Sequence, residues 1–209
     1  MTATQPESPQ LYLITPPAFD PAPFGETLAR ILDAIPVACL RLGMAGSDEA
    51  EIGRAGDALR DIAHARDVAI VIERHVILAE RLGLDGVHLP RGTHGIRKLR
   101  EQIGPDAIIG ASCGASRHDG LNAAEAGADY VAFGPVGDSP LDDGTRAARE
   151  IFEWWSEMIE VPVVAEGALT RALIADLAPV TDFFALGDEI WNADDPLAAL
   201  RDLVSPLDL

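Results

Sequence analysis

Two rhythms of apolar residues alternate along the chain. Short runs of five to seven residues, rich in β-branched side chains, read as strands: LYLIT (11–15), VACLRLG (37–43), VAIVIE (68–73), GVHLP (86–90), AIIGAS (107–112), YVAFGPV (130–136), VPVVAEG (161–167) and DFFALG (182–187). Between them lie stretches with apolar residues at i, i+3 and i+4, such as FGETLARILDAI, EIGRAGDALRDIAHA, TRAAREIFEWWSEMI and TRALIADLA, which read as amphipathic helices. Strands that are apolar throughout belong to parallel sheets covered on both faces. The even strand–helix repeat, with no longer mid-chain connection, predicts an α/β fold, a single-domain (β/α)8 TIM barrel; a doubly wound open sheet is the alternative. Residues 10–209 are assigned to the barrel and 1–9 to a flexible N-terminal segment. The loops after the strands form a barrel's one open concave face, so chemistry is sought there.

Composition narrows the partners. With 209 residues and 48% hydrophobic content, the chain can bury one sizeable core. The first thirty residues hold Pro6, Pro9, Pro16, Pro17, Pro21 and Pro23 and no signal-peptide pattern. No apolar run approaches the roughly 18 residues of a membrane helix, so no membrane partner is expected. Two cysteines, Cys39 and Cys113, are too few for a disulfide framework, and a reducing, cytoplasmic compartment is expected. A net charge of −18 repels a phosphate backbone, which argues against nucleic acid. Lys98, the only lysine, lies in the amphipathic run HGIRKLREQI as a solvated group, so Schiff-base chemistry, which needs a desolvated lysine, is not expected. A small-molecule ligand is the partner that remains. Trp154 and Trp155 fall on one helix, where one packs on the barrel and the other is free to face solvent or a partner, so a homo-oligomer stays open.

The strand ends offer Thr15, then Cys39 and Arg41, then Glu73, Arg74 and His75, then His88 and Arg91. Ser112 and Cys113, the acidic stretch Asp138–Asp143, Glu166 with Gly167, and Gly187 with Asp188 and Glu189 follow. Arginines thus gather on strands two to four and carboxylates on six to eight. Arg41, Arg74 and Arg91 either clamp an anion, since guanidinium forks match carboxylate and phosphate, or pair internally with Glu73, Glu166 or Asp188. Glu73, His75 and His88 have the donor types for zinc or iron, against which His75 begins a helix and His88 reads as a barrel histidine. No histidine is placed in sequence to activate Cys113. Asp138, Asp142 and Asp143 suit a solvated loop, one folded back onto Arg146 and Arg149, or a cation-binding edge, rather than a phosphate nest.

LYLIT, LGLDGVHLP, IIGASCGAS, AAEAGADYVAFGPV and VPVVAEGALT, in this order and spacing, resemble the thiamine-phosphate synthase family, including its thiazole tautomerase branch. The resemblance covers nearly the whole chain and is strongest over residues 82–168. It implies a TIM barrel of thiamine biosynthesis that joins an aminopyrimidine pyrophosphate to a thiazole phosphate, with magnesium neutralising the leaving pyrophosphate.

Carried over residue by residue, the resemblance also implies a divergent member. The family's Gln-x-Arg-x-Lys on strand two reads Cys39, Arg41 and Gly43. The Asn-Asp pair after strand three falls on Glu73 and Arg74, and the second magnesium carboxylate falls on Thr93. Asp142 stands near the lysine of the strand-six loop. The glycine-rich phosphate seat after strand seven keeps Gly167 between Glu166 and Ala168, and the phosphate cap after strand eight reads Gly187 and Asp188. The candidate catalytic residues are then Arg41 and Ser112. The candidate substrate-binding set adds Glu73, Arg74, His88, Arg91, Gly134, Glu166, Gly167 and Gly187. No metal ligand is assigned, and magnesium enters only if the family reaction is retained. Two like charges about 4 Å apart repel by roughly 4 kcal/mol at an effective dielectric of 20, so carboxylates at the seat oppose phosphate. The expected function is a thiamine-phosphate synthase-like protein that joins or processes thiazole phosphate and aminopyrimidine compounds, with most phosphate and magnesium ligands replaced; the alternative is a non-catalytic TIM barrel that binds or regulates.

Overall fold

The computed structural model describes residues 8–46, 48–90, 95–138 and 145–207. Residues 1–7 of the expected N-terminal segment, together with Arg91, Thr93, Asp142 and Asp143, lie outside them. The strands are β1 (Gln10–Ile14), β2 (Cys39–Leu42), β3 (Ala69–Glu73), β4 (Gly86–Leu89), β5 (Ile108–Ser112), β6 (Tyr130–Phe133), β7 (Val163–Glu166) and β8 (Phe183–Leu186). Each pairs in parallel with the next, and β8 pairs with β1, so the sheet closes into a barrel rather than the open alternative. No described helix is long and apolar enough to cross a membrane.

The helices that wrap the barrel are α1 (Pro21–Ala34), α2 (Glu49–His64), α3 (Val76–Leu82), α4 (Ile96–Ile103), α5 (Arg117–Ala126), α6 (Arg149–Met158), α7 (Arg171–Leu177), α8 (Asp188–Trp191) and α9 (Pro196–Leu203). Local chemistry sets their starts. Asp20 caps α1 by accepting from the Ala22 N–H, with Pro21 preset for the first helical position, and Asp48 caps α2 through the Ala50 and Glu51 N–H groups. Helix α6 begins later than the TRAAREI pattern suggests. The Ala147 N–H is held by the Pro135 carbonyl at 2.9 Å, which keeps that stretch extended until Ala148. Trp155 is fully buried and Trp154 half-buried beneath Arg117, whose guanidinium lies 5.0 Å from its ring centre.

Side-chain parity divides the core in two. Leu11, Leu13, Leu40, Ile70, Ile72, Val87 and their counterparts point outward and build the main apolar layer with the helices. The alternate positions point inward, where Tyr12, Val71, Tyr130, Ala132, Val164 and Ala185 form a separate inner cluster. Gly110 makes room for Tyr130, because a methyl group at residue 110 would stand 1.9 Å from the tyrosine ring. At the amino-terminal end, Asp85, Asp129 and Asp182 each accept an N–H from the first or second residue of a neighbouring strand, from Ile70, Ile109 and Val163, at 2.7 Å. Part of the acidic composition therefore serves the fold.

Candidate active site at the carboxyl ends of the strands

The inward parity that carries Tyr12 and Tyr130 also carries Arg41 on β2, Glu73 on β3, His88 on β4, Ser112 on β5 and Glu166 on β7. Their side chains meet just below the open end. The Arg41 guanidinium donates from Nη2 to Glu166 Oε2 at 2.9 Å, and its Nη1 lies 2.7 Å from His88 Nε2. Ser112 Oγ donates to Glu166 Oε1 at 2.8 Å and stands 2.9 Å from the same His88 nitrogen. Below, His88 Nδ1 is 2.8 Å from the Tyr130 hydroxyl, which is 2.6 Å from that of Tyr12. A guanidinium can only donate, so Nε2 must accept and the imidazole proton is assigned to Nδ1, directed at Tyr130.

Electrostatics hold this network in one protonation state. Burial, and then the Arg41 charge, drive the His88 pKa well below the usual histidine value, so the ring is neutral. Burial works against the charge on Arg41, but Glu166, with Tyr12, Tyr130 and Glu73 adding to it, outweighs burial and raises the guanidinium pKa. Burial likewise raises both tyrosines, which stay protonated. Arg41 also stacks over the Tyr12 ring, 5.6 Å from its centre. Its Nε is buried without a hydrogen bond; Glu73 Oε1 lies 3.4 Å away.

A pH prediction follows for His88. Its folded pKa lies below its unfolded value of about 6.5, so below that pH the unfolded chain binds a proton that the folded one refuses. The contribution is fully present above pH 6.5 and lost as the pH falls. Between pH 6 and 5 the unfolding free energy should drop about 1 kcal/mol more in the parent than in His88→Gln, read from urea unfolding; equal slopes would contradict the assignment.

The other candidates separate. Gly134 and Gly167 line a cavity of about 680 Å³ above the network, with Ile14, Arg41, Pro90, Cys113, Ser116, Asp119 and Glu166 among its walls. Both glycines are needed: a side chain at Gly134 would meet the Glu166 carbonyl at 2.3 Å, and Gly167 has φ +87° with Pro135 2.9 Å from where a Cβ would stand. Arg74 is exposed at the rim, with φ +66° and its Nη2 3.9 Å from Glu73 Oε2. Gly187 does not line this cavity; Glu189 accepts its N–H at 2.8 Å. Asp138 pairs with Arg146. Cys113 is buried, and burial pushes its thiol up to about 12, so it is no ready nucleophile.

Among the described residues the site does not fit magnesium. Arg74 stands where the resemblance implies a magnesium-binding aspartate, its neighbour Glu73 lies between the Arg41 and Arg74 guanidinium groups, and no three described His, Cys, Asp or Glu side chains gather as a metal site.

Tyr12, Tyr130, Ser116 and Asp119 were not legible as site residues. For the tyrosines, parity has to be carried across strands by register: Tyr12 pairs with Cys39, two residues before Arg41, and Tyr130 pairs with Gly110, two residues before Ser112, so both share the inward face.

The sequence description of the thiamine monophosphate synthase family matches residues 11–186, from β1 to the end of β8. The chain belongs to the thiamine monophosphate synthase family. It is 44% identical over 202 residues to a thiamine-phosphate synthase of Rhodospirillum centenum, covering 92% of this chain and 95% of that relative. A thiamine-phosphate synthase of Erythrobacter litoralis is 40% identical over 195 residues, covering 90% of this chain and 91% of that one. Among solved structures, the thiamine phosphate pyrophosphorylase from Pyrococcus furiosus superposes with a TM-score of 0.80 at 26% identity, covering 94% of each chain.

Proposed function

We propose that this family member binds the heterocyclic compounds of thiamine biosynthesis in their unphosphorylated forms, and that it has given up magnesium-dependent coupling of their phosphates. The observation that carries this reading is the commitment of Arg41. It is the only cation lining the 680 Å³ cavity among the described residues, and its terminal nitrogens are engaged by Glu166 and His88. A phosphate entering the cavity would face the Glu166 and Asp119 carboxylates with no free guanidinium among the described lining residues to meet it. An aminopyrimidine, by contrast, presents N–H donors and ring nitrogens. The Glu166 carboxylate, fixed by Arg41 and Ser112, can accept from an amino group, and the Ser116 hydroxyl can donate to a ring nitrogen. The interior network sets Glu166 and keeps it from reorienting; the walls supplied by Ile14 and Pro90 cover the apolar faces of the ring.

Calorimetric titration with the aminopyrimidine alcohol and with its pyrophosphate, each with and without magnesium, tests this. The alcohol should bind at least tenfold more tightly than the pyrophosphate, and magnesium should leave the ratio unchanged. Tighter binding of the pyrophosphate in the presence of magnesium would refute the proposal.

A further inference from the structure

The ends of β7 and β8 hold a feature that the cavity does not explain. Glu189, in the short helix α8, spreads its carboxylate across two loops: Oε1 accepts the Leu169 N–H at 3.0 Å and Oε2 accepts the Gly187 N–H at 2.8 Å. The Gly187 bond alone would be an ordinary helix-start contact, since Gly187 immediately precedes α8. The Leu169 bond is not, because it joins residues twenty positions apart on different strand loops.

The backbone around Leu169 is arranged at a cost. Gly167 and Ala168 both lie at positive φ, +87° and +54°, and for alanine that left-handed conformation is disfavoured. This turn leads directly into the Leu169 amide that Glu189 receives. Helix α8 is itself fixed, with Trp191 Nε1 donating to the Ile14 carbonyl at 2.5 Å and its ring packed 4.9 Å from Phe24. Glu189 is therefore held by its helix against both amides. Ile14, 3.4 Å from where a Cβ on Gly187 would stand, and Gly167, two residues before Leu169, both wall the 680 Å³ cavity, so the two amides adjoin it without lining it.

In TIM barrels the loops after strands seven and eight frequently form a phosphate site, using backbone N–H groups. A carboxylate bridging two such groups presents the acceptor oxygens that a phosphate would. We infer that Glu189 is a built-in anion filling the phosphate seat of this barrel, and so a specificity-determining residue that excludes ligands carrying a phosphate at the β7–β8 end. The inference rests on the reading of the cavity as the ligand site and adds the residue that sets its selectivity. A phosphate approaching the seat would have to displace Glu189 or sit against its charge. An unphosphorylated thiazole alcohol would meet neither obstacle.

Inorganic phosphate is the probe, because it reports on the seat without requiring any heterocycle to bind. The Leu169 and Gly187 amide resonances are followed by heteronuclear NMR in the parent, Glu189→Ala and Glu189→Gln proteins as phosphate is added. In Glu189→Ala both amides should shift at phosphate concentrations at least tenfold lower than in the parent, with Glu189→Gln between them. Circular dichroism and thermal unfolding identify the variants that keep the fold. Shifts at equal concentrations in parent and variant would overturn the inference, because the seat would then be open with Glu189 in place. So would a folded Glu189→Ala protein in which neither amide responds. If instead the phosphate result holds while the aminopyrimidine alcohol fails to bind, Glu189 stands as the plug and the ligand assignment falls.

Discussion

Replacing Arg41 by methionine should destabilise the folded barrel by about 3 kcal/mol, the low end of the roughly 3–5 kcal/mol seen when one partner of a buried ion pair is removed. The Arg41 side chain is only 7% exposed, while Glu166 and Glu73 are 17% and 20% exposed, so water relieves part of the stranded charge. Methionine fills much of the volume but leaves Glu166 with the Ser112 hydroxyl as its remaining partner and takes the donor away from His88 Nε2. Adding Glu166→Gln should recover part of the loss, because one of the two carboxylates facing the gap is then neutral. Urea unfolding of the parent, both single variants and the double variant gives the coupling directly. A loss below about 1 kcal/mol in Arg41→Met, comparable to a surface pair, would mean that the guanidinium does not organise the interior.

The strands were legible in the sequence because a closed parallel sheet buries both faces of every strand, and all eight runs are predominantly apolar. That same uniformity hid the inner layer. Nothing in LYLIT or YVAF distinguishes the inward Tyr12 and Tyr130 from their outward neighbours until a polar residue fixes the parity of the barrel. Arg41, His88, Ser112 and Glu166 could be named from their places at strand ends, but their convergence depends on the stagger of strands around the barrel. Neighbours in that cluster are up to 125 residues apart in the chain. Helix α8 escaped notice because four residues are too few to show a helical period, and with it went the reach of Glu189 to Leu169. The internal pairing of Arg41 was one of two readings open from sequence, and only geometry distinguishes a guanidinium committed to Glu166 and His88 from one waiting for a ligand.

The second large effect concerns catalysis. The family resemblance implies coupling of an aminopyrimidine pyrophosphate to a thiazole phosphate with magnesium neutralising the departing pyrophosphate; here Arg74 stands at the place of a magnesium-binding aspartate, and the adjacent Glu73 lies between Arg41 and Arg74. A divalent cation would be repelled by both guanidinium groups, and at the opposite side of the mouth Glu189 already occupies the backbone amides. The energetic deficit is that of an unneutralised leaving group, which removes several kcal/mol of transition-state stabilisation. The account is tested most directly by supplying both phosphorylated substrates with magnesium and following thiamine phosphate formation. Turnover should fall at least roughly a thousandfold below the ordinary enzyme scale of about 1 s⁻¹ and should not respond to magnesium. Magnesium-dependent formation at about 1 s⁻¹ or faster would contradict it.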